Sequence, residues 1–290
     1  MTIREYLQKK YSESTLSGNL GNIKRFTDYY QNHAPAATYT DVLRYIEHLR
    51  KNYNLHPKTL RHQLYAVRIY FNYLLEIGKR KDHPCSELYL KDKISRTIQV
   101  DTLYSPEALE RFFESYQAIL TKKKHLESRN KVTISLLIYQ ALTVREIAAL
   151  DVGDVNLDTC HIHIKGNGHQ RSRTLPLQAR QVLLLYNYLE KDRGGLLKSP
   201  DETALLLNQY GERVMAHSIS RMINEGRPGS EQLQPIKIRQ SVIANLLKKE
   251  NDIRVVQVFA GHKKAGTTAQ YSQDELQALQ SAINQYHPLR

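Results

Sequence analysis

The sequence has few cysteines, fewer acidic than basic residues, and no long apolar runs. Its two cysteines, Cys85 and Cys160, lie far apart and match no zinc-binding or Cys-x-x-Cys spacing. We therefore expect neither a disulfide framework nor a structural zinc site. No stretch approaches the roughly 20 apolar residues of a membrane span, and residues 1–15 lack the apolar core of a secretory signal. A soluble cytoplasmic protein with no membrane partner is expected.

Acidic residues number 29 against 42 lysines and arginines, so the formal net charge is +13 with neutral histidines. Both halves share the excess, with net +7 in residues 1–102 and +6 in residues 103–290. The chain is 41% hydrophobic and can bury a core, which argues against disorder. Two interpretations of the charge stay open: a polyanion such as DNA or RNA that contacts both halves, or a merely basic protein.

The first third of the chain predicts short helices. Apolar residues recur there every three or four positions, in residues 15–30, 41–50 and 57–78. On the third helix, Arg61 and Arg68 fall off the apolar stripe two turns apart, where their side chains can reach successive DNA phosphates. Solvated arginines on an exposed face are the alternative.

A polar, irregular stretch separates these helices from the rest of the chain. Its composition predicts a linker over residues 92–103, which separates a helical domain over residues 1–91 from a second domain over residues 104–290. The helical pattern resumes at Ser105, whose hydroxyl is placed to cap a helix that starts at Pro106. The length of 290 residues suits two such domains.

The clearest β signal runs from Cys160 to Lys165, where Ile162 and Ile164 alternate with His161 and His163. A polar turn and the segment SRTLPL follow, which predicts a hairpin. Two histidines on one strand face can bind a metal, but no acidic or thiolate ligand accompanies them on that face, so we expect none.

The same hairpin is rich in positive charge. Lys165 lies beside the turn, and Arg171 and Arg173 lie on the returning arm. A basic hairpin of this kind can enter a DNA groove.

Near the C-terminus, Pro235 begins a predicted helix that carries Arg239 in its first turns, where the helix dipole and the guanidinium both favour an anionic ligand. Gly261-His262 and Thr267-Thr268-Ala269-Gln270-Tyr271 follow. One tyrosine among 19 indicates nothing by itself, but the order and spacing of these residues do.

This region resembles the tyrosine recombinase, or phage integrase, family, which includes the Xer-type recombinases. The family pattern is a Pro-His-x-Leu-Arg-His-Ser block, a Leu-Gly-His block and a Thr-Thr-x-x-Tyr ending. The chain supplies matching residues in the same order: Pro235, Ile238, Arg239, Ser241, Ala244, Leu246, Leu247, the segment Arg254-Val255-Val256-Gln257, Gly261, His262, Thr267, Thr268 and Tyr271. The resemblance implies a mainly α fold with a small β-hairpin or sheet. A SAM-like core-binding domain and a catalytic domain would form a C-shaped clamp on DNA.

Carried over position by position, the resemblance implies that Tyr271 attacks a DNA phosphodiester and forms a 3′-phosphotyrosyl link. Arg239 would hold the non-bridging oxygens of the scissile phosphate, and His262 would add a hydrogen bond to them. Lys165 matches the hairpin lysine that protonates the departing 5′-oxygen. Because the phosphotyrosyl link conserves bond energy, no metal, ATP or other cofactor is implied.

Two positions depart from the family pattern. Thr143 stands where the family has its first arginine, and Ile236 stands where it has a histidine. Arg145 is a candidate substitute for the lost guanidinium, with a surface or DNA-backbone arginine as the alternative, and Lys237 is a weaker candidate replacement beside Ile236. Lys263 and Lys264 are expected to contact phosphates outside the cleavage site.

The sequence predicts a site-specific DNA recombinase of a mobile or integrated element, with accessory proteins possible. The alternative is a DNA-binding accessory or regulatory protein with a decayed active site, which the changes at Thr143 and Ile236 favour. A terminal helix from Asp274 to about Ile283 is expected to dock on a neighbouring protomer and link a tetramer around two duplexes; packing on its own domain is the alternative.

Overall fold

The computed structural model describes residues 1–93, 98, 100–116, 126–168, 170–225, 227–249 and 251–271. The chain divides into two compact units, Met1–Ser95 and Arg96–Arg290. Residues 94–97 and 99 of the predicted linker lie outside the described residues. Of those described, Ile98, Val100 and Leu103 pack against an apolar cluster of the second unit.

The first unit is helical. Its helices are α1 (Ile3–Lys10), α2 (Glu13–Tyr30), α3 (Tyr39–Tyr53) and α4 (Pro57–Glu76). The apolar periodicity that predicted the last three is confirmed, because the stripes form one core around Phe26, whose ring makes edge-to-face contacts with Tyr45 and Phe71. Thr38 begins α3 with a capping box to Asp41, which satisfies donors that the helix start leaves free.

The helices of the second unit surround a central one. They are α5 (Pro106–Ser115), α6 (Glu127–Tyr139), α7 (Val144–Ala149), α8 (Ala179–Asn187), α9 (Arg193–Leu196), α10 (Ala216–Met222), α11 (Pro235–Lys248), α12 (Ile253–Ala260) and α13 (Ala265–Ala269). The α6 helix is buried along most of its length and packs against α5, α8 and α11. The predicted cap is confirmed, because Ser105 Oγ accepts a hydrogen bond from the Ala108 amide at 3.2 Å.

A small antiparallel sheet lies between α7 and α8, with strand order β1 (Val155–Asn156), β2 (His161–Ile164) and β3 (Arg173–Pro176). The predicted hairpin is confirmed as β2 and β3, in which Ile164 pairs with Arg173. Alternation along β3 buries Arg173 and Leu175 and exposes Thr174 and Pro176. An arginine therefore lies on the apolar face of the sheet.

The mainly helical fold with a small sheet is confirmed. In the part of the chain that is described, no helix is both long and apolar enough to cross a membrane.

Candidate active site

The first element of the site is α11, which buries Arg239. Pro235 starts this helix, and Arg239 retains only 3% of its accessible surface. Its two terminal nitrogens donate hydrogen bonds to the carbonyls of Ala141 and Ala260, and Nη1 lies 3.6 Å from Oε2 of Glu146. These contacts fix a positive charge between three separate parts of the chain. Burial lowers the pKa of Arg239, and the Glu146 carboxylate opposes that effect.

His262 follows the end of α12. Gly261 terminates this helix with φ +70°, and a Cβ there would lie 2.5 Å from Nη1 of Arg173. Both the backbone angle and the space therefore require glycine. The His262 ring is buried, and its Nδ1 lies 2.9 Å from the Thr268 hydroxyl. Burial, then the charges of Arg239 and Arg173, lower the pKa of His262 to about 4, so the ring is neutral at pH 7.

Tyr271 lies two residues after the end of α13, and its ring stacks on that of His262. The two rings are nearly parallel, at 13°, with centroids 6.4 Å apart. The tyrosine is 9% exposed and packs with an apolar cluster that includes Ile243 and Val256. Burial raises the pKa of the Tyr271 phenol, whereas the charge of Arg239 lowers it. The structure therefore brings three of the predicted catalytic residues together, Arg239, His262 and Tyr271.

Lys165 has different partners. Its Nζ lies 2.5 Å from Oδ2 of Asp151 and 3.3 Å from Oδ2 of Asp154, with more than half of the side chain exposed. These carboxylates raise the pKa of Lys165. Its described contacts are to this acidic pair and not to Arg239, His262 or Tyr271. The side chain must leave the two carboxylates before it can reach a reacting group near Tyr271.

Two residues at the site were not predicted as part of it, Glu146 and Arg173. Glu146 Oε1 accepts from Arg173 Nη1 at 2.6 Å, and both side chains are almost fully buried. Burial raises the pKa of Glu146, whereas its hydrogen bond to Arg173 and the charge of that residue lower it. Together the lowering effects exceed that of burial, so the pKa of Glu146 lies below its usual value. Arg173 was predicted to contact DNA from the returning arm of the hairpin. The structure buries its side chain, because alternation back from Leu175 turns it inward, and its contact with DNA stays a prediction. That alternation was the signal available in the sequence.

The two departures from the family pattern have local explanations. Thr143 is the N-cap of α7 and forms a capping box with Glu146, whose Oε2 accepts from the Thr143 amide at 2.8 Å and hydroxyl at 2.9 Å. Arg145, the candidate substitute, is exposed on α7. Its role in catalysis stays a prediction.

The second departure lies at the start of α11, where Ile236 is 56% exposed. The ammonium of the neighbouring Lys237 lies 4.8 Å from the centre of the Tyr104 ring.

The cations predicted to contact DNA fall into two groups. Arg171, Lys263 and Lys264 are exposed, and Lys263 Nζ donates to the Gly168 carbonyl at 3.1 Å, so these cations border the site. Arg61 and Arg68 instead bind backbone carbonyls of the segment after α4, Arg61 those of Leu90 and Asp92, and Arg68 those of Cys85 and Leu88. A structural role is therefore evident for the second group.

The exposed strand histidines bind neighbouring side chains and backbone. His163 Nδ1 lies 3.1 Å from the Thr174 hydroxyl, and His161 Nδ1 lies close to the Thr159 carbonyl. No group of three or more histidine, cysteine, aspartate or glutamate residues in the described ranges is arranged to hold a metal ion.

Comparison with known proteins adds to this geometry. Residues 110–277 match the phage integrase family, and residues 2–78 match the phage integrase N-terminal SAM-like domain. The chain is 26% identical over 254 residues to tyrosine recombinase XerC of Histophilus somni (strain 2336), covering 85% of this chain and 81% of that protein. It is 27% identical over 240 residues to tyrosine recombinase XerC of Salmonella typhi, with coverage of 81% and 75%.

Two solved structures share the fold. The XerH site-specific recombinase bound to palindromic difH substrate has a TM-score of 0.68 and 21% identity, covering 92% of this chain and 78% of that one. The Tn1549 transposon integrase in complex with transposon right end DNA has a TM-score of 0.66 and 15% identity, covering 96% and 99%.

Proposed function

The chain belongs to the phage integrase family, the tyrosine recombinases, and on that premise we propose that it is a site-specific recombinase that cuts and rejoins DNA strands through Tyr271. The observation that carries the proposal is the meeting of Arg239, His262 and Tyr271 in one buried cluster. They come from α11, from the end of α12 and from the end of α13. A phenol, a guanidinium and an imidazole so arranged supply a nucleophile and two donors for a phosphodiester.

In the proposed cleavage step, Tyr271 Oη forms a bond to the scissile phosphorus as the bond from phosphorus to the 5′-oxygen breaks. The products are a 3′-phosphotyrosyl link and a 5′-hydroxyl. Arg239 stabilises the charge that develops on the non-bridging oxygens, and its charge also helps the phenol lose its proton. For neutral His262 to donate to the phosphate, its Nε2 must carry the proton, and the Thr268 hydroxyl then donates to Nδ1.

Lys165 is the proposed general acid for the departing 5′-oxygen. Because this side chain is exposed on the hairpin, it is free to leave Asp151 and Asp154 and to contact bound DNA. Leaving those carboxylates removes the interaction with Asp151 and Asp154 that raises the pKa of the ammonium, and it frees the ammonium to donate its proton to the 5′-oxygen.

The exposed cations beside the site support contact with the DNA backbone. Arg171, Lys263 and Lys264 are placed to neutralise phosphates that flank the cleavage point. A clamp by both domains, a tetramer on paired sites, a mobile-element origin and a cytoplasmic location remain parts of this proposal. The helix proposed to link protomers, Asp274 to Ile283, lies outside the described residues.

Trapping of the covalent intermediate tests the proposal. Duplex sites are first selected from a randomised library by binding to Tyr271→Phe protein, then given a nick near the cleavage point so that the short 5′-hydroxyl strand diffuses away. Wild-type protein should form an adduct that resists detergent, and Tyr271→Phe should form none. Tyr186→Phe, a change at an exposed tyrosine of the same unit, is the matched control and should react like wild type.

The reaction is run with a chelator and without ATP, because a phosphotyrosyl link conserves the energy needed for rejoining. An adduct that requires added metal or ATP would contradict this part of the proposal. A wild-type protein that binds its selected sites but forms no adduct would favour a DNA-binding regulator with a decayed active site.

A further inference from the structure

The buried side of the hairpin holds a guanidinium with unused donors. The Arg173 side chain is 2% exposed, and its Nη1 is bonded to Glu146. Its Nε and Nη2 are buried without a hydrogen-bond partner among the described residues. Buried donors that bind nothing are costly, and native proteins rarely keep them without a reason.

The charges around Arg173 do not cancel. Arg173 and Arg239 share one carboxylate, with Nη1 of each at 2.6 Å and 3.6 Å from the two oxygens of Glu146. His262 adds no charge at neutral pH, since its pKa is about 4. The cluster therefore carries one excess positive charge with little access to water, which one anionic group of a ligand compensates.

Arg173 lies beside the segment that carries His262, and its charge acts on that ring. Gly261, directly before His262, leaves the space that the guanidinium fills, because a Cβ there would be 2.5 Å from Nη1. At the position where the family has an arginine, Thr143 offers only a hydroxyl and an amide, both bonded to Glu146. Arg145, on the same helix, is exposed.

We propose that Arg173 is a catalytic residue that binds the non-bridging oxygens of the scissile phosphate through Nε and Nη2, in place of the guanidinium missing at Thr143. This inference rests on the proposed function. It assigns the second phosphate-binding arginine to β3, and Glu146 acts as the positioning residue that holds both guanidinium groups.

Substitution of Arg173 by lysine tests the proposal, because lysine retains the charge that pairs with Glu146 but has one nitrogen in place of three, so it lacks counterparts of Nε and Nη2. Cleavage of the nicked duplex should slow by about 100-fold to 1,000-fold, the loss typical of one preorganised donor. Arg129→Lys is the matched control: Arg129 is also buried in this unit, but each of its nitrogens has a partner. It should cleave at close to the wild-type rate.

A methylphosphonate at the cleavage point separates phosphate binding from a merely structural role. This group replaces one non-bridging oxygen by methyl and carries no charge, so it has less need of a second guanidinium. The ratio of phosphate to methylphosphonate cleavage should fall at least tenfold in Arg173→Lys, whereas a variant that is only misfolded loses both activities in proportion.

The outcomes separate the inference from the function on which it rests. Absence of any wild-type adduct overturns the proposed function. A wild-type adduct together with an Arg173→Lys rate within threefold of wild type, or an unchanged substrate ratio, overturns the role of Arg173 alone. A large loss confined to Arg145→Ala would assign the missing guanidinium to Arg145 instead.

Discussion

Replacement of Glu146 by glutamine removes the one negative charge shared by two buried arginines. The side chain keeps its shape, and its amide oxygen can still accept from Thr143, so the capping box of α7 is retained. What is lost is the charge at 2.6 Å from Arg173 and 3.6 Å from Arg239. Removal of one partner from a buried ion pair costs about 3 to 5 kcal/mol, because the other charge remains buried and uncompensated.

We expect the free energy of unfolding of the second unit to fall by about that amount in Glu146→Gln. Hydrogen exchange of amides in α6 and α11 of the full-length protein measures this unit separately from the first. Sulfate should restore more stability to the variant than to wild type, because an anion compensates the two guanidinium charges that the substitution leaves unpaired. Thr143→Ala is the control: loss of the cap costs about 1 kcal/mol and leaves the charges paired.

A Glu146→Gln protein within 1 kcal/mol of wild type would refute the reasoning that the carboxylate compensates both arginines. A large loss with no added response to sulfate would refute it differently, because the defect would then lie in packing and not in uncompensated charge.

Three further results are expected. The pKa of His262 is about 4 in the folded protein and about 6.5 in the unfolded chain, so the unfolded chain takes up the proton first as the pH falls. The free energy of unfolding should therefore fall by about 3 kcal/mol between pH 6.5 and pH 4. In urea titrations over this range, His262→Gln should show a smaller decrease than wild type. Lys165→Ala should slow cleavage of ordinary DNA about 100-fold or more. It should slow cleavage of a 5′-bridging phosphorothiolate much less, because a thiolate leaves without a proton. Equal losses on the two substrates would exclude Lys165 as the general acid. Arg68→Ala should lower the stability of the first unit by about 1 to 3 kcal/mol in calorimetry, because the hydrogen bonds to the carbonyls of Cys85 and Leu88 are lost. Lys263→Ala should leave stability unchanged and should reduce the salt dependence of DNA binding, measured by titration, by about one ion. The reverse pattern, with Lys263→Ala destabilising and Arg68→Ala changing the salt dependence, would contradict both assignments.

The periodicity of the sequence predicted α2, α3 and α4 but not α1, because an amphipathic helix needs its apolar residues on one side, whatever it packs against. Alternation predicted the hairpin for a similar reason, and the burial of Ile162 and Ile164 confirms it. Arg171 and Arg173 were treated alike because both are basic residues on the same arm. They lie two positions apart, so alternation alone gives both the same face. The strand begins at Arg173, which alternation with Leu175 buries, whereas Arg171 precedes the strand and stays exposed.

Periodicity, helix caps and motif spacing are local properties of the chain, and they were enough to predict the helices of residues 15–78, the hairpin, and the order of Arg239, His262 and Tyr271. They did not predict that Glu146 is shared between two arginines, that Arg173 joins the site, or that Arg68 binds backbone carbonyls of the segment after α4. These outcomes depend on contacts between distant residues, such as that of Arg239 with the carbonyl of Ala141, 98 positions away. Such contacts are set by how the elements pack, and no local pattern in the sequence encodes them.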